Sequence, residues 1–290
     1  MRCWVPAAGI VASIVASLAA AQPPPSPPSD DSDQDIVIQA RTEEEVDRFV
    51  RALTQNARGR QIARWNDRIC PKVLGLDPVH ASYITARLGT LARGLHIPVA
   101  SGRCRGNIIM VVAGDADAFT RLLVKRYPRL FADPQEGMAP PGRIRQLLEP
   151  RPVRWIAASS TGNADGGPIN GPNRIYSASR LRTSTRENAT LSFVIVDAGK
   201  LEKITWSQLA DYLALVTLAR PAMDADYDRT TVLSIFRIRD GGGRGPGRLT
   251  SRDANLLRGL YSTSAAASAD AQRSSIRRQV EQAAALPEAE

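Results

Sequence analysis

The sequence predicts an α/β fold, with α+β as the alternative arrangement of the same elements, and three observations carry it. Apolar, β-branched runs such as "NIIMVVAG" (Asn107 to Gly114) and "ATLSFVIVDAG" (Ala189 to Gly199) read as buried strands. Beside them stand segments of helical period that open on capping residues, "DPVHASYITARLGTLARGLH" and "TWSQLADYLALVTLAR". Two cysteines, Cys70 and Cys104, bracket the first of these helices. The expected architecture is a small N-terminal α/β layer with one disulfide, followed by a C-terminal mixed sheet around a buried central helix.

The 290 residues, 43% hydrophobic and 23% charged, suffice for one large domain or two small ones. Residues 1–21 read as a signal peptide. Arg2 gives the positive start, "VPAAGIVASIVASL" the apolar stretch, and Ala19 and Ala21 the small residues of a cleavage site. The stretch is too short and Ala-rich for a spanning anchor, and no later run is long enough to cross a membrane. The mature protein is therefore expected to be periplasmic or secreted. The net charge of +9 falls by one with Arg2, and Asp30, Asp31, Asp33 and Asp35 sit outside the expected folded part, which is more basic still. The arginines are scattered and aromatics make up only 5%, so a basic stripe with stacking rings, the mark of a nucleic-acid surface, is not expected.

Along the chain, residues 22–35 form a Pro/Ser/Asp-rich linker with nothing apolar to bury. An N-terminal α/β unit spans 36–132. In it "TEEEVDRFVRALT" is a helix capped by Thr42, "RQIARWNDRICP" a strand, and "DPVHASYITARLGTLARGLH" a helix capped by Asp77 with Val79, Ile84, Leu88, Leu91 and Leu95 on its apolar face. "NIIMVVAG" is a strand and "DADAFTRLLVKRY" a helix. Residues 133–152, rich in Pro and Gly, read as a linker. A C-terminal α/β unit spans 153–263. "VRWIAASST" is a strand, Asn170-Gly171 a turn signal in a long loop, and "ATLSFVIVDAG" the central strand. The helix after it is capped by a Thr205/Gln208 box, "TTVLSIFRI" is another strand, "DGGGRGPGR" a mobile loop, and "LTSRDANLLRGLYS" a helix with a Thr250/Asp253 box. Residues 264–290 form a charged, Ala-rich tail with a weakly held helix.

The stretches "ARWNDRICPKVLGL", "GRCRGNIIMVV", "SFVIVDAGKLEKITWSQLADYLALVTLA", "TVLSIF" and "LTSRDANLLRGLYS" resemble an uncharacterised family of secreted proteins of Gram-negative bacteria, which brings no known activity. The last three also resemble, distantly, zincin-type putative metalloprotease domains, in the order of a central helix, a loop and a late helix ending in Leu-Tyr. Such a zincin needs His-Glu-x-x-His on its central helix, two imidazoles on one metal with the Glu acting on its water. Laid on "ADYLA", those places fall on Ala210, Asp211 and Ala214, and neither alanine can coordinate a metal.

The two histidines, His80 and His96, both lie in the N-terminal unit. His80 and Ser82 point to different faces of one helix, so no nucleophile-base pair is legible there. Cys3 lies in the signal peptide. Cys70 and Cys104, in an oxidising compartment, read as one disulfide, with two buried thiols as the alternative. Asp197, Asp211, Asp224 and Asp226 fall in the second unit and leave a carboxylate pair open. For Asp211 the plainer reading is a charge paired at a helix surface. "DGGGRGPGR" fits no phosphate loop, Asn188 begins an incidental glycosylation sequon, and no alternating acids suggest calcium.

No catalytic residue, metal or cofactor is therefore expected. The sequence points to a non-catalytic exported protein that binds an envelope component or another exported protein. The alternatives are a hydrolase with paired carboxylates and a degenerate zincin-like peptidase scaffold. Cleavage is expected after Ala21: mass spectrometry of exported material should give a chain beginning at Gln22, and a start elsewhere would refute the assignment.

Overall fold

Four strands, β1 (Pro71–Leu74), β2 (Ile108–Ala113), β3 (Val153–Asn163) and β4 (Thr185–Asp197), form one mixed sheet in the order β1-β2-β4-β3. β1 and β4 both run parallel to β2, and β3 runs antiparallel to β4. The helices are α1 (Pro78–Gly94), α2 (Ala116–Arg126), α3 (Pro141–Leu148), α4 (Trp206–Ala219), α5 (Ile235–Asp240), α6 (Ser251–Ser262) and α7 (Ala269–Ala284). This computed structural model describes Val50, residues 61–132 and 141–167, Ile169 and residues 182–284. All lie within the unit Ala40–Glu290. The signal peptide, the 22–35 linker, the helix expected after Thr42 apart from Val50, and the Asn170-Gly171 turn lie outside the described residues.

The two-residue period of a strand divides the core between the two faces of the sheet. On one face Ile108, Met110, Val112, Val194 and Val196 meet Ile84 and Leu88 of α1 and Leu209 and Leu213 of α4. On the other, Phe193 and Ile195, with Ile109 and Val111, meet Ala116, Phe119 and Leu123 of α2, Phe131, and Leu147 of α3. Central strands covered on both faces have no use for polar side chains, so β2 and β4 read as nearly unbroken apolar runs. The expected α/β class is thus the observed one. The expected N-terminal and C-terminal units contribute two strands each to the same sheet.

Gly75 follows β1 at φ +84°, and a Cβ there would stand 2.0 Å from the Val112 carbonyl oxygen. Only glycine lets the chain leave β1 across the backbone of β2 and enter α1. Asp77 caps α1 by accepting from the Val79 and His80 amides, and Thr205 with Gln208 closes a reciprocal box on α4, as the sequence indicates. The same box holds for Thr250 and Asp253 on α6.

Several elements differ from expectation. "RQIARWNDRICP" is not a continuous strand: Arg64 bridges Asn188 and Ile69 bridges Val99, with a bend at Asp67 between them, and β1 begins only at Pro71. Val79 is 75% exposed because it lies five positions before Ile84, about 140° round the helix from the buried face. The 133–152 stretch contains α3, whose Leu147 is fully buried in the second core. "TTVLSIFRI" is a 3-10 turn followed by α5. Val232, Leu233, Ile235, Phe236 and Ile238 are buried at helical spacing, and the Asp253 carboxylate accepts from the Val232 amide. Short apolar runs fit either period, and here the contact with α6 decides.

The 264–284 stretch is held firmly. Ile276 and Val280 of α7 are buried, and Gly259 of α6 lies so close that a Cβ would stand 2.6 Å from the Ile276 Cα. Gln272 also accepts from the Ile62 amide at 2.7 Å. The "DGGGRGPGR" loop is pinned likewise, its Pro246 carbonyl accepting from Gln208 Nε2 at 2.9 Å and its Gly247 carbonyl from Ser207.

Cys70 and Cys104 form the expected disulfide, with their Cα atoms 6.2 Å apart across a separation of 34 residues. Cys70 directly precedes β1 and Cys104 stands in the turn before β2, so the bridge ties the starts of two paired strands. Replacing both cysteines with serine should lower unfolding stability by about 2–5 kcal/mol. A denaturant midpoint equal to that of the parent would show that the bridge carries no load.

Candidate functional site

The carboxylates singled out in the sequence do not gather at one place. Asp211, at 1% exposure, faces α1, where Arg87 Nε lies 2.5 Å and Nη2 3.0 Å from its two oxygens. It also accepts from the Leu249 amide at 2.6 Å, so the expected pairing is present but buried, where the sequence suggested a helix surface. The carboxylate holds the Arg87 guanidinium above its ordinary pKa. Asp224 accepts from Gln146 Nε2, and the exposed Asp226 lies 3.4 Å from Arg237 Nε. Ala210 and Ala214 are closed into the core at 0% and 1% exposure.

Asp197 belongs to a group whose other members the sequence did not flag. It ends β4 at the carboxyl end of the parallel strands, where open α/β sheets commonly place their sites. Its Oδ2 lies 3.3 Å from Lys200 Nζ, and Asp117 Oδ2 lies 3.6 Å from the same ammonium. Asp117 also accepts from Arg154, a fully buried side chain of β3 that donates to the Ala116 carbonyl and to Thr120 as well. The Arg154 hydrogen bond holds the Asp117 carboxyl below the usual carboxylate range, with Lys200 adding to the effect. Arginine in an alternating apolar strand was the only available signal, and "VRWIAASST" conceals it as the exposed partner of an edge strand.

His80 lies at the start of α1, its Nδ1 2.5 Å from Asp77 Oδ2 and its ring stacked on Trp206 at 3.9 Å. The exposed Ser82 takes no part in that contact, and His96 stands in the turn after α1 at φ 59°. Asn188 is buried in β4, where its side chain accepts from Asn66, so the sequon is not presented for modification.

The strongest candidate binding feature is cationic and lies at the C-terminal end of α4. Arg220 ends the helix in the left-handed conformation, φ 57° and ψ 54°. Tyr261 of α6 donates to the Leu218 carbonyl at 2.9 Å, and Arg64 lies over its ring at 5.7 Å from the centroid. Arg64 is itself fixed by the Leu260 and Thr263 carbonyls. Burial lowers the Arg220 guanidinium to about 10, an effect that Tyr261 and Glu187 oppose and Arg143 of α3 reinforces. Burial and the nearby Arg186 lower Arg64 in the same way. Glu187 accepts from Thr161 at 2.5 Å. Sequence reasoning missed this group because its members come from α3, β4, α4, α6 and the 61–69 segment.

Comparison with protein-family models, curated proteins and solved structures gives no match.

Asp117→Asn should lower stability by about 1–3 kcal/mol at neutral pH, because it removes the charged partner of a buried guanidinium. A depressed carboxyl stabilises the fold above the unfolded value of about 4 and ceases to do so as pH falls through its folded value. The difference between parent and variant should therefore be constant above about pH 5 and shrink on acidification. A difference that grows toward low pH in urea titrations would refute the pairing.

Proposed function

We propose that this is an exported, non-catalytic binding protein whose partner is an envelope component or another exported protein. The observation that carries the reading is the condition of α4. In a zincin the ligand positions of the central helix must open onto a metal and a water. Here Gln208 to Ala219 are all buried, Ala210 and Ala214 face other side chains, and Asp211 is engaged by Arg87 and the Leu249 amide. A general base held in two charge-assisted or backbone bonds inside a packed core has no path to water. The helix serves as core.

The hydrolase reading finds its best support in Asp117 and Asp197, which share one ammonium. Glycoside hydrolysis requires one of two carboxyls to hold its proton, which means a raised pKa. Lys200 and Arg154 act the other way and keep Asp117 ionised. The pair is arranged as an ion cluster that fastens α2 and β3 to the end of β4, which favours the binding reading. Export is supported by the N-terminal sequence and by a disulfide between Cys70 and Cys104. No helix among the described residues is long and apolar enough to cross a membrane.

The purified mature protein should carry no stoichiometric zinc, and chelators should leave its melting temperature unchanged. One equivalent of tightly held zinc by elemental analysis, with loss of peptide hydrolysis on chelation, would replace this reading with the peptidase one.

A further inference from the structure

Arg220 occupies a position where its residue type is costly, and its side chain forms no ion pair or hydrogen bond among the described residues. A non-glycine residue in the left-handed region at a helix end costs about 1 kcal/mol or more, and glycine is the residue usually found there. The ordinary employment of an arginine at such an end is to bind the last carbonyls of the helix. Three of those carbonyls already have donors: the Arg220 amide donates to Val216, Trp65 Nε1 to Thr217 at 2.8 Å and Tyr261 to Leu218 at 2.9 Å, while Trp155 Nε1 donates to Pro221 just beyond the helix at 3.0 Å. Arg220 Nε is buried without a hydrogen-bond partner, and the guanidinium makes no ion pair among the described residues.

Its surroundings add positive charge. Arg143 of α3 lies within electrostatic reach, and Arg64 and Arg220 both act on Tyr261. Glu187 is the one acid among the charges acting on Arg220, and its carboxylate already accepts from Thr161. A partly buried cation beside further guanidiniums, with Glu187 as its one opposing charge and no direct ion pair, gains from a further anion, and a guanidinium fork matches an oxyanion in two parallel hydrogen bonds.

We propose that Arg220 and Arg143 hold an oxyanion, a carboxylate or phosphate group, at the C-terminal end of α4, with Arg64 and Tyr261 as the fixed wall of the site. The proposal rests on the binding reading above, for which it supplies the chemistry of the ligand. It is not a generic effect of basic charge, because it singles out one arginine whose removal should relieve strain.

The test is thermal melting of the disulfide-intact mature protein with millimolar inorganic phosphate, against chloride at equal ionic strength. Phosphate should raise the parent's melting temperature beyond the chloride control. Arg220→Gly should melt at or above the parent without phosphate and lose the phosphate shift, with apparent affinity at least tenfold weaker. Arg143→Gln should weaken it partially. A tetra-aspartate peptide that competes with phosphate identifies a polypeptide carboxylate as the ligand; a peptide that does not compete identifies a phosphate group.

Three outcomes would overturn the site: no phosphate-specific shift in the parent, an undiminished shift in Arg220→Gly, or an Arg220→Gly that melts well below the parent, which would make the side chain structural. None of these bears on zinc content, so a failure here and a failure of the non-catalytic reading remain distinguishable.

Discussion

β2 lies parallel to β4 with Ile108 opposite Ser192 and Ala113 opposite Asp197, and both cores are built against these two strands. Among the described residues this is the continuous ladder that joins the first half of the chain to the second, helped by the bridge of Arg64 to Asn188. Parallel pairing requires a crossover, and this one includes α2, α3 and the whole of β3 before β4 can dock. The loop-closure entropy of so distant a pairing must be met before its contacts exist, so the ladder should form late. β1 is differently placed: four residues long and at the sheet edge, it is tied to the start of β2 by the disulfide. The bridge restrains in the unfolded chain the part of the sheet that has least hydrogen bonding to hold it.

Charged side chains inside the protein act as fasteners between elements that apolar contact alone would let slide. Arg154 is wholly buried, yet its bonds reach α2 through Ala116, Thr120 and Asp117, and the loop before β3 through Glu149 and Arg151. Asp211 does the same between α4, α1 and the start of α6, and Asp253 between α6 and the turn before α5. Burial raises the Asp253 pKa despite hydrogen bonds from Thr231, Val232 and Thr250, so that carboxylate sits there at an electrostatic cost. Such groups add little net stability when compared with apolar replacements of similar shape. They fix the registers of the helices against the sheet.

What the sequence disclosed follows from this division. The long elements with a single period, β2, β4, α1 and α4, are legible because their burial leaves one pattern open, and three caps are legible, one from Asp77 alone and two from the spaced pairs Thr205/Gln208 and Thr250/Asp253. The 230–238 stretch reads as a strand because its apolar residues suit either period, and the bond of its Val232 amide to Asp253 is a tertiary contact that sequence pattern does not show. α7 was undervalued because its sequence is polar; its grip depends on Gly259 of α6, whose missing side chain lets the two backbones approach. The cationic group at Arg220 was invisible for a different reason. No motif spans it, since it is assembled from five separate parts of the chain, and its informative feature is a backbone conformation.

A helix without a polar face limits where function can lie. α4 is buried from Gln208 to Ala219, its N-terminus is held by the Thr205 box and the Pro246 carbonyl, its Thr217 and Leu218 carbonyls by Trp65 and Tyr261, and Pro221 just beyond it by Trp155. It cannot rotate or slide without losing several of these bonds at once, and its ends are where it meets other polar groups. At the N-terminal end Trp206 is stacked against His80, a contact already complete within the fold. At the C-terminal end the Val216, Thr217 and Leu218 carbonyls have donors other than a capping side chain, and the residue that follows presents a guanidinium without an ion pair among the described residues. Scaffolding on several sides and one charge without an ion pair is what the proposed oxyanion site builds on, and the packing of α4 keeps that charge in place.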